Sequence, residues 1–516
     1  MGDYKKQILI PPRIGGLGGL IVTRSKLIML DQTKTPLLET LKTLANRPHA
    51  AFYAPGHKRG NGMNLLLQNV LGSSVFKADL PELPELDNLF APEGVIESAQ
   101  QLAAAAFGAE QTRFLVNGST GGIIASILAT CGTGDKIIMP RNVHQSVISG
   151  LVLSGAIPVF LQPEYNAEWD LTYSITPEAV ETALKHHADI KAVLMVYPTY
   201  QGICGNIEQI AKITHDYNIP LLVDEAHGPH FYFHADLPIA ALTAGADLVV
   251  QSTHKVLGAM TQASMLHLQG NRIDRSRLNQ ALQMIQSSSP SYLLLASLDA
   301  ARQQMATQGQ ELMNQTLQLA ETAKISLEKI PGISVLNLPK IKQNSFIALD
   351  STRLSVNVSD LGLTGYQADE ILHQQFGVTA ELPNLKHLTF IISLGNTEAD
   401  IEQLVKGFTQ LSEMSHDFQT ISPEFPLPPV FSSVVRFSPR DAFEGASQRR
   451  SVDDCIGCIS AEMVCPYPPG IPILMPGEQI SADAINYLHK VLSVGATITG
   501  CSDPTLETLK IYKSFH

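Results

Sequence analysis

Short apolar runs alternate with longer amphipathic stretches through the first two thirds of the chain. Thr112–Val116, Lys136–Met139, Pro158–Leu161, Ala192–Val196, Pro220–Val223 and Leu248–Val250 have the length and apolar content of buried strands. Between most of them the apolar positions recur at helical spacing. That rhythm predicts an α/β fold whose mostly parallel sheet is covered on both faces. Ahead of it, the spacing predicts a helix over Thr35–Arg47 ending near Pro48, and a second over Pro92–Phe107 with Pro and Glu in its first turn. Phe52–Gly60 lies between them and is broken by Pro55 and Gly56.

The pattern changes near Pro331. A helical stretch from about Tyr292 to Lys329 leads into Ile333–Leu336, Phe346–Leu349 and Leu388–Ser393, which predict a smaller α+β domain. The proline-rich segment Ser422–Pro429 predicts a linker to a compact C-terminal part. The expected division is an extension over 1–33, a large domain with its N-terminal arm over 34–330, a small domain over 331–421 and a C-terminal domain over 422–516. Gly15–Gly19 in the extension reads as a flexible loop, because it lacks the GxGxxG order and no obvious strand precedes it.

Composition narrows the classes. The 516 residues are 44% apolar and 16% charged, an ordinary globular balance, with a net charge of −12 and no basic block. A nucleic-acid partner is therefore not expected. Arg24 and Lys26 interrupt the apolar stretch Leu20–Leu30, so neither a membrane span nor a signal peptide is expected there. Lys6 stands where a myristoylation motif has Ser or Thr. The cytoplasm is the expected location. Six cysteines in a chain of this length do not make a disulfide scaffold. Cys455 and Cys458 form a lone CxxC, open to three readings: a redox pair, half a zinc site or chance.

Chemistry concentrates where apolar runs turn polar. Leu221–Val223 runs into Asp224-Glu-Ala-His227, and Leu248–Val250 runs into Gln251-Ser-Thr-His-Lys255. In an open α/β sheet ligands bind beyond the carboxyl ends of the strands, so one strand delivers an acid and the next an amine to the same crevice. Pyridoxal phosphate (PLP) needs that pair: a lysine for its aldehyde and an acid facing its ring nitrogen. Asn117-Gly-Ser-Thr-Gly-Gly122 follows a strand and opens a helix. It reads either as a glycine-rich cap or as a phosphate cradle, with Ser119 and Thr120 adding hydroxyls. His144 could stack on a planar ring or serve as an ordinary loop histidine. Ser252 and His254 flank the lysine, and His254 could supply a proton. His227, His230 and His234 have metal-like spacing, but Pro229 disfavours a helix that would put them on one face, so no metal is expected.

In order along the chain, Pro55-Gly-His-Lys58, Asn117-Gly-Ser-Thr120, Arg141-Asn-Val-His144, Pro198-Thr-Tyr-Gln-Gly202, Asp224-Glu-Ala-His-Gly228, Ser252-Thr-His-Lys255, Ser287–Tyr292 and Tyr467-Pro-Pro-Gly-Ile-Pro472 resemble the ornithine/lysine/arginine decarboxylases of PLP fold type I. The resemblance spans about residues 35 to 490 and implies a large domain like that of aspartate aminotransferase. It implies that Lys255 holds PLP, Asp224 pairs with the ring nitrogen and His144 stacks on the ring, with Ala226 and His227 also at the cofactor. Ser119, Thr120, Ser252 and His254 would surround the phosphate, and Ser288 would reach the phosphate of a neighbouring subunit in a homodimer or higher oligomer. The chain lacks the receiver-like domain of the longer bacterial members and looks more like the short arginine decarboxylases of polyamine biosynthesis. Lysine and ornithine remain alternative substrates, as does a catalytically silent regulatory role. The distal cation of such a substrate needs a carboxylate, for which Glu462 and then Asp441 are the candidates. Cys455 and Cys458 would be a redox control near that wall.

Overall fold

The structure, a computed structural model, describes residues 18–23, 26–340, 343–414, 434–467 and 470–513. At its centre is a seven-stranded sheet of β1 (Gln111–Leu115), β2 (Lys136–Pro140), β3 (Ile157–Leu161), β4 (Ile190–Val196), β5 (Leu221–Asp224), β6 (Leu248–Gln251) and β7 (Ser264–Leu268), in the order β1-β7-β6-β5-β4-β2-β3. All neighbours are parallel except β7, which is antiparallel to both β6 and β1. Two antiparallel pairings in succession restore the direction, so β1 runs the same way as β6. Its carboxyl end therefore lies on the same edge as those of β2, β4, β5 and β6.

Alternation along each strand feeds two cores. Phe114, Val193, Met195, Val223, Val249 and Met265 join one core with residues of the helices Pro36–Asn46, Val95–Phe107 and Tyr292–Leu327. Leu115, Ile137, Leu194, Leu222, Val250 and Leu266 join the other, under the helices Gly118–Thr130 and Gln145–Ser154. The first of these helices lies close to the sheet because Gly122 has no side chain; a Cβ there would sit 2.7 Å from both Leu115 and Val250.

The small sheet joins Ser334–Val335, Arg353–Asn357, His387–Ile391 and Leu382–Pro383, all antiparallel, and the helices Gly365–Phe376 and Glu398–Met414 contribute to its core. The expected strand Phe346–Leu349 is shorter and belongs elsewhere. Ala348–Leu349 pairs with Ile203–Cys204, just after β4, so ladder hydrogen bonds tie it to the large domain. The loop expected at Gly15–Gly19 also needs correction. Gly18 and Gly19 open a strand, Gly18–Thr23, that pairs antiparallel with Lys26–Asp31; residues 15–17 and the linker over 422–429 lie outside the described residues. The C-terminal part packs the helix Ala482–Ser493 against two small ladders, Ser447–Ser451 with Thr508–Tyr512 and Cys465–Tyr467 with Thr497–Thr499. Among the described residues, no helix is long and apolar enough to cross a membrane.

Candidate active site

Five loops leave the carboxyl edge of the sheet side by side, and the reactive groups sit on them. β5 ends at Asp224, which pairs in register with Val250 of β6 and Val196 of β4. After β6, Ser252 caps the short helix Thr253–Val256, which carries Lys255 on its third residue. Lys255 Nζ lies 2.9 Å from His227 Nε2 and 5.8 Å from the centre of the Tyr200 ring. Burial pulls the lysine below its ordinary pKa, opposed by the attraction of Asp224 and reinforced by Arg353. Burial likewise raises Asp224, offset by Lys255 and by the N–H of Ala226, which donates to Asp224 Oδ1 at 3.2 Å. Each group is thus biased towards its neutral form, and a neutral amine is the form that attacks a carbonyl carbon.

The histidines around this pair are biased the same way. His144 begins the helix Gln145–Ser154, and its Nδ1 accepts the N–H of Ser146. Burial, then the charge of Lys255, brings its pKa down to about 4. Gly470, at φ +88°, lies against this ring; a Cβ there would be 3.3 Å from two ring atoms. His227 is pushed well below the usual histidine range, first by burial and then by Lys255, and its Nδ1 is buried without a hydrogen-bond partner. His254 is lowered by burial and then by Lys255.

At the start of the helix Gly118–Thr130, Ser252 Oγ donates to Ser119 Oγ at 2.7 Å, and Thr120 is exposed. The first N–H groups of a helix have no partner within it, so the hydroxyls and these donors form a cradle for an anion. A lysine amine, a buried acid, a ring-sized imidazole face and a phosphate cradle on one edge are the parts PLP requires. The orphaned His227 Nδ1 adds a polar atom with capacity for a ligand group.

The structure leaves other sequence candidates outside this set. Ser288 is exposed on the loop between the helices Arg275–Ile285 and Tyr292–Leu327. Glu462 is 7% exposed, and its two oxygens accept the N–H groups of Ser502 and Lys510, both at 2.7 Å. Those bonds tie it to two backbone segments of the C-terminal part. Asp441 is exposed in the first turn of the surface helix Pro439–Glu444, whose Arg440 donates to Val152 O. Cys455 and Cys458 are free thiols whose sulfurs meet different carbonyls, Ser451 O at 3.2 Å and Asp454 O at 3.7 Å. Burial, then the neighbouring Cys458, raises the pKa of Cys455. His227, His230 and His234 go to three different partners: Lys255, Asp350 with Thr352, and Asn314.

Two residues at the site were given no role by the sequence pattern. Tyr200 stands over Lys255 and 4.7 Å from the His227 ring. Arg353, from the small sheet, is buried and donates to His227 O at 3.1 Å, while its Nε and one terminal nitrogen lack hydrogen-bond partners. Chain position gives no hint that a small-domain arginine reaches this edge.

A lysine opposite a buried acid at the carboxyl edge of this sheet defines a PLP enzyme of fold type I. The sequence matches Orn/Lys/Arg decarboxylase, major domain, over residues 35–400 and Orn/Lys/Arg decarboxylase, C-terminal domain, over residues 433–504. It is 38% identical over 491 residues to an arginine decarboxylase of Bacillus subtilis, covering 94% of this chain and 99% of that one. It is 25% identical to the constitutive lysine decarboxylase of Escherichia coli, covering 91% of this chain and 79% of that one. The fold is shared with lysine decarboxylase A of Pseudomonas aeruginosa, at a TM-score of 0.80 and 22% identity, covering 93% of this chain and 80% of that one. The chain belongs to the Orn/Lys/Arg decarboxylase family, and it is a PLP-dependent decarboxylase of basic amino acids.

Proposed function

We propose that the substrate is L-arginine and the products are agmatine and CO2, in polyamine synthesis. The observation that carries this reading is the 38–39% identity, over most of the chain, to relatives named arginine decarboxylase. Bound at this edge, PLP supplies an electron sink for the pair left when CO2 departs. Lys255 is the residue that would hold the cofactor, through its amine. Asp224 would face the cofactor's ring nitrogen, and His144, Ala226 and His227 would help to hold its ring. Ser119, Thr120, Ser252 and His254 surround the phosphate, joined by Ser288 from a second copy. Loss of CO2 consumes one proton at the α-carbon. Lys255 Nζ or the His254 ring delivers it, and the depressed basicity of each makes release easier.

The assembly is a homodimer or a higher oligomer built from it. Its support is the apolar helix Leu65–Leu71, on which Leu65, Leu66 and Val70 are each more than 70% exposed. Free thiols at all six cysteines favour the cytoplasm. The test is to incubate PLP-loaded protein separately with L-arginine, L-lysine and L-ornithine, measuring CO2 and identifying the amine. Agmatine is expected to dominate. Cadaverine or putrescine as the main product would reassign the substrate, and no CO2 from any of the three would overturn the activity.

A further inference from the structure

Tyr200 belongs to two places at once. Its ring stands over Lys255, and it also lines a cleft of about 900 Å³, counting the solvent space at its mouth. Asn142, two residues before His144, and Val196, the register partner of Asp224, line the same cleft, so it opens from the reactive edge. Its far walls come from three parts of the chain: Tyr165 and Asp170 after β3, Tyr366 from the small domain and Tyr487 from the C-terminal helix.

The chemistry of these walls is specific. Asp170 is the one residue with a formal charge among those lining the cleft, and it stands among phenol rings. Tyr165 Oη donates to Asp170 Oδ1. Lys386, whose charge reaches Asp170 through space, donates its ammonium to the carbonyls of Ala167 and Glu168, at 2.8 and 3.3 Å. Among the described residues, the carboxylate therefore looks into the cleft with a hydroxyl partner and without a hydrogen-bonded guanidinium or ammonium. Aromatic faces attract cations, and a planar guanidinium both stacks on such rings and donates in parallel to a carboxylate. An anion is repelled here, and a neutral ligand leaves the charge without a partner.

We propose that Asp170, with the rings of Tyr165, Tyr366 and Tyr487, receives the guanidinium of the arginine substrate whose α-amine end reacts at Lys255. This rests on the decarboxylase reading and replaces Glu462 and Asp441 as the specificity carboxylate. The groups facing Asp170 are Tyr165, Tyr366, Tyr487 and Lys386. Burial holds all three phenols above their usual range, so they stay neutral. Burial, partly offset by Tyr165 and Lys386, raises Asp170 to about 6. The pocket is charged above that pH and neutral below it.

The test compares L-arginine with L-citrulline, its uncharged near-isostere, on the PLP-loaded full chain. In Asp170→Asn, kcat/KM for arginine is expected to fall about ten- to a hundredfold, mainly through KM. Citrulline should change by less than about threefold, with the absorbance of bound cofactor unaltered. Asp170→Glu should restore most of the preference. Equal losses for both substrates, or no loss for arginine, would overturn the assignment. The unmodified protein gives an independent measure: the arginine-to-citrulline ratio should drop as pH falls through about 6, and a flat ratio counts against Asp170. Should the protein release no CO2 from any basic amino acid, the activity fails, but the pocket is still tested by agmatine binding. Affinity at least about tenfold weaker in Asp170→Asn supports it; equal affinity removes it.

Discussion

Arg141 with Glu478, and Lys255 with Asp224, are both buried cation–carboxylate arrangements on the same edge of the sheet, and they are built in opposite ways. The Arg141 guanidinium donates to both oxygens of Glu478, at 2.9 and 2.8 Å, and to the carbonyls of Pro472 and Ile473. Glu478 also takes the N–H of Met475. Both side chains are fully buried, and the pair locks the C-terminal part onto the loop that carries His144. Lys255 meets one side-chain nitrogen, that of His227, and Asp224 accepts one backbone N–H. Saturated partners make a charge structural; sparse partners leave it available for chemistry. The same contrast separates Glu462, with a backbone donor on each oxygen, from Asp170, which faces a cleft.

The sharpest way to break the contrast is at the sparse pair. Lys255→Ala should lower decarboxylation by more than about 10³-fold, with little loss of stability, since it removes a buried amine that is poorly satisfied. CO2 release and the thermal midpoint together check this. A variant that kept a tenth of the activity would remove Lys255 from the chemistry. The saturated pair should behave the other way. Arg141→Met strands a buried carboxylate and should cost about 3–5 kcal/mol in urea unfolding, much of it recovered in Arg141→Met/Glu478→Leu. A loss below about 1 kcal/mol would show that the pair does not anchor the C-terminal part. The smallest effect is expected at Glu462. Glu462→Gln should cost about 1–3 kcal/mol while leaving KM for arginine within about twofold, because one backbone donor loses its acceptor and no substrate contact is lost. A large rise in KM there would return Glu462 to the substrate wall and weaken the case for Asp170.

Asp224 and Lys255 were legible because one ends an apolar strand and the other lies just past the next, and the edge where ligands meet a parallel sheet follows from that topology. Ser119, His144 and Ser252 were legible for the same reason, each lying just past a strand. Tyr200 was inside a recognised block without a role, since its duty depends on where a ring points. Arg353 and Asp170 gave no signal at all. Arg353 arrives from a different sheet, and Asp170 matters through the company of Tyr366 and Tyr487, about 200 and 300 residues away in the chain.

By itself the sequence determined the alternating strands and helices, the large parallel sheet and the cofactor groups at its edge, because periodicity and strand ends are local properties. The tertiary structure decided which charges are spent and which are left open. Glu462 looked available until folding brought Ser502 and Lys510 to its oxygens, 40 and 48 residues away in the chain. Asp170 became a site only where three separate parts of the chain closed a cleft around it. Hydrogen-bond saturation and burial depend on neighbours distant in sequence, and packing alone supplies those neighbours.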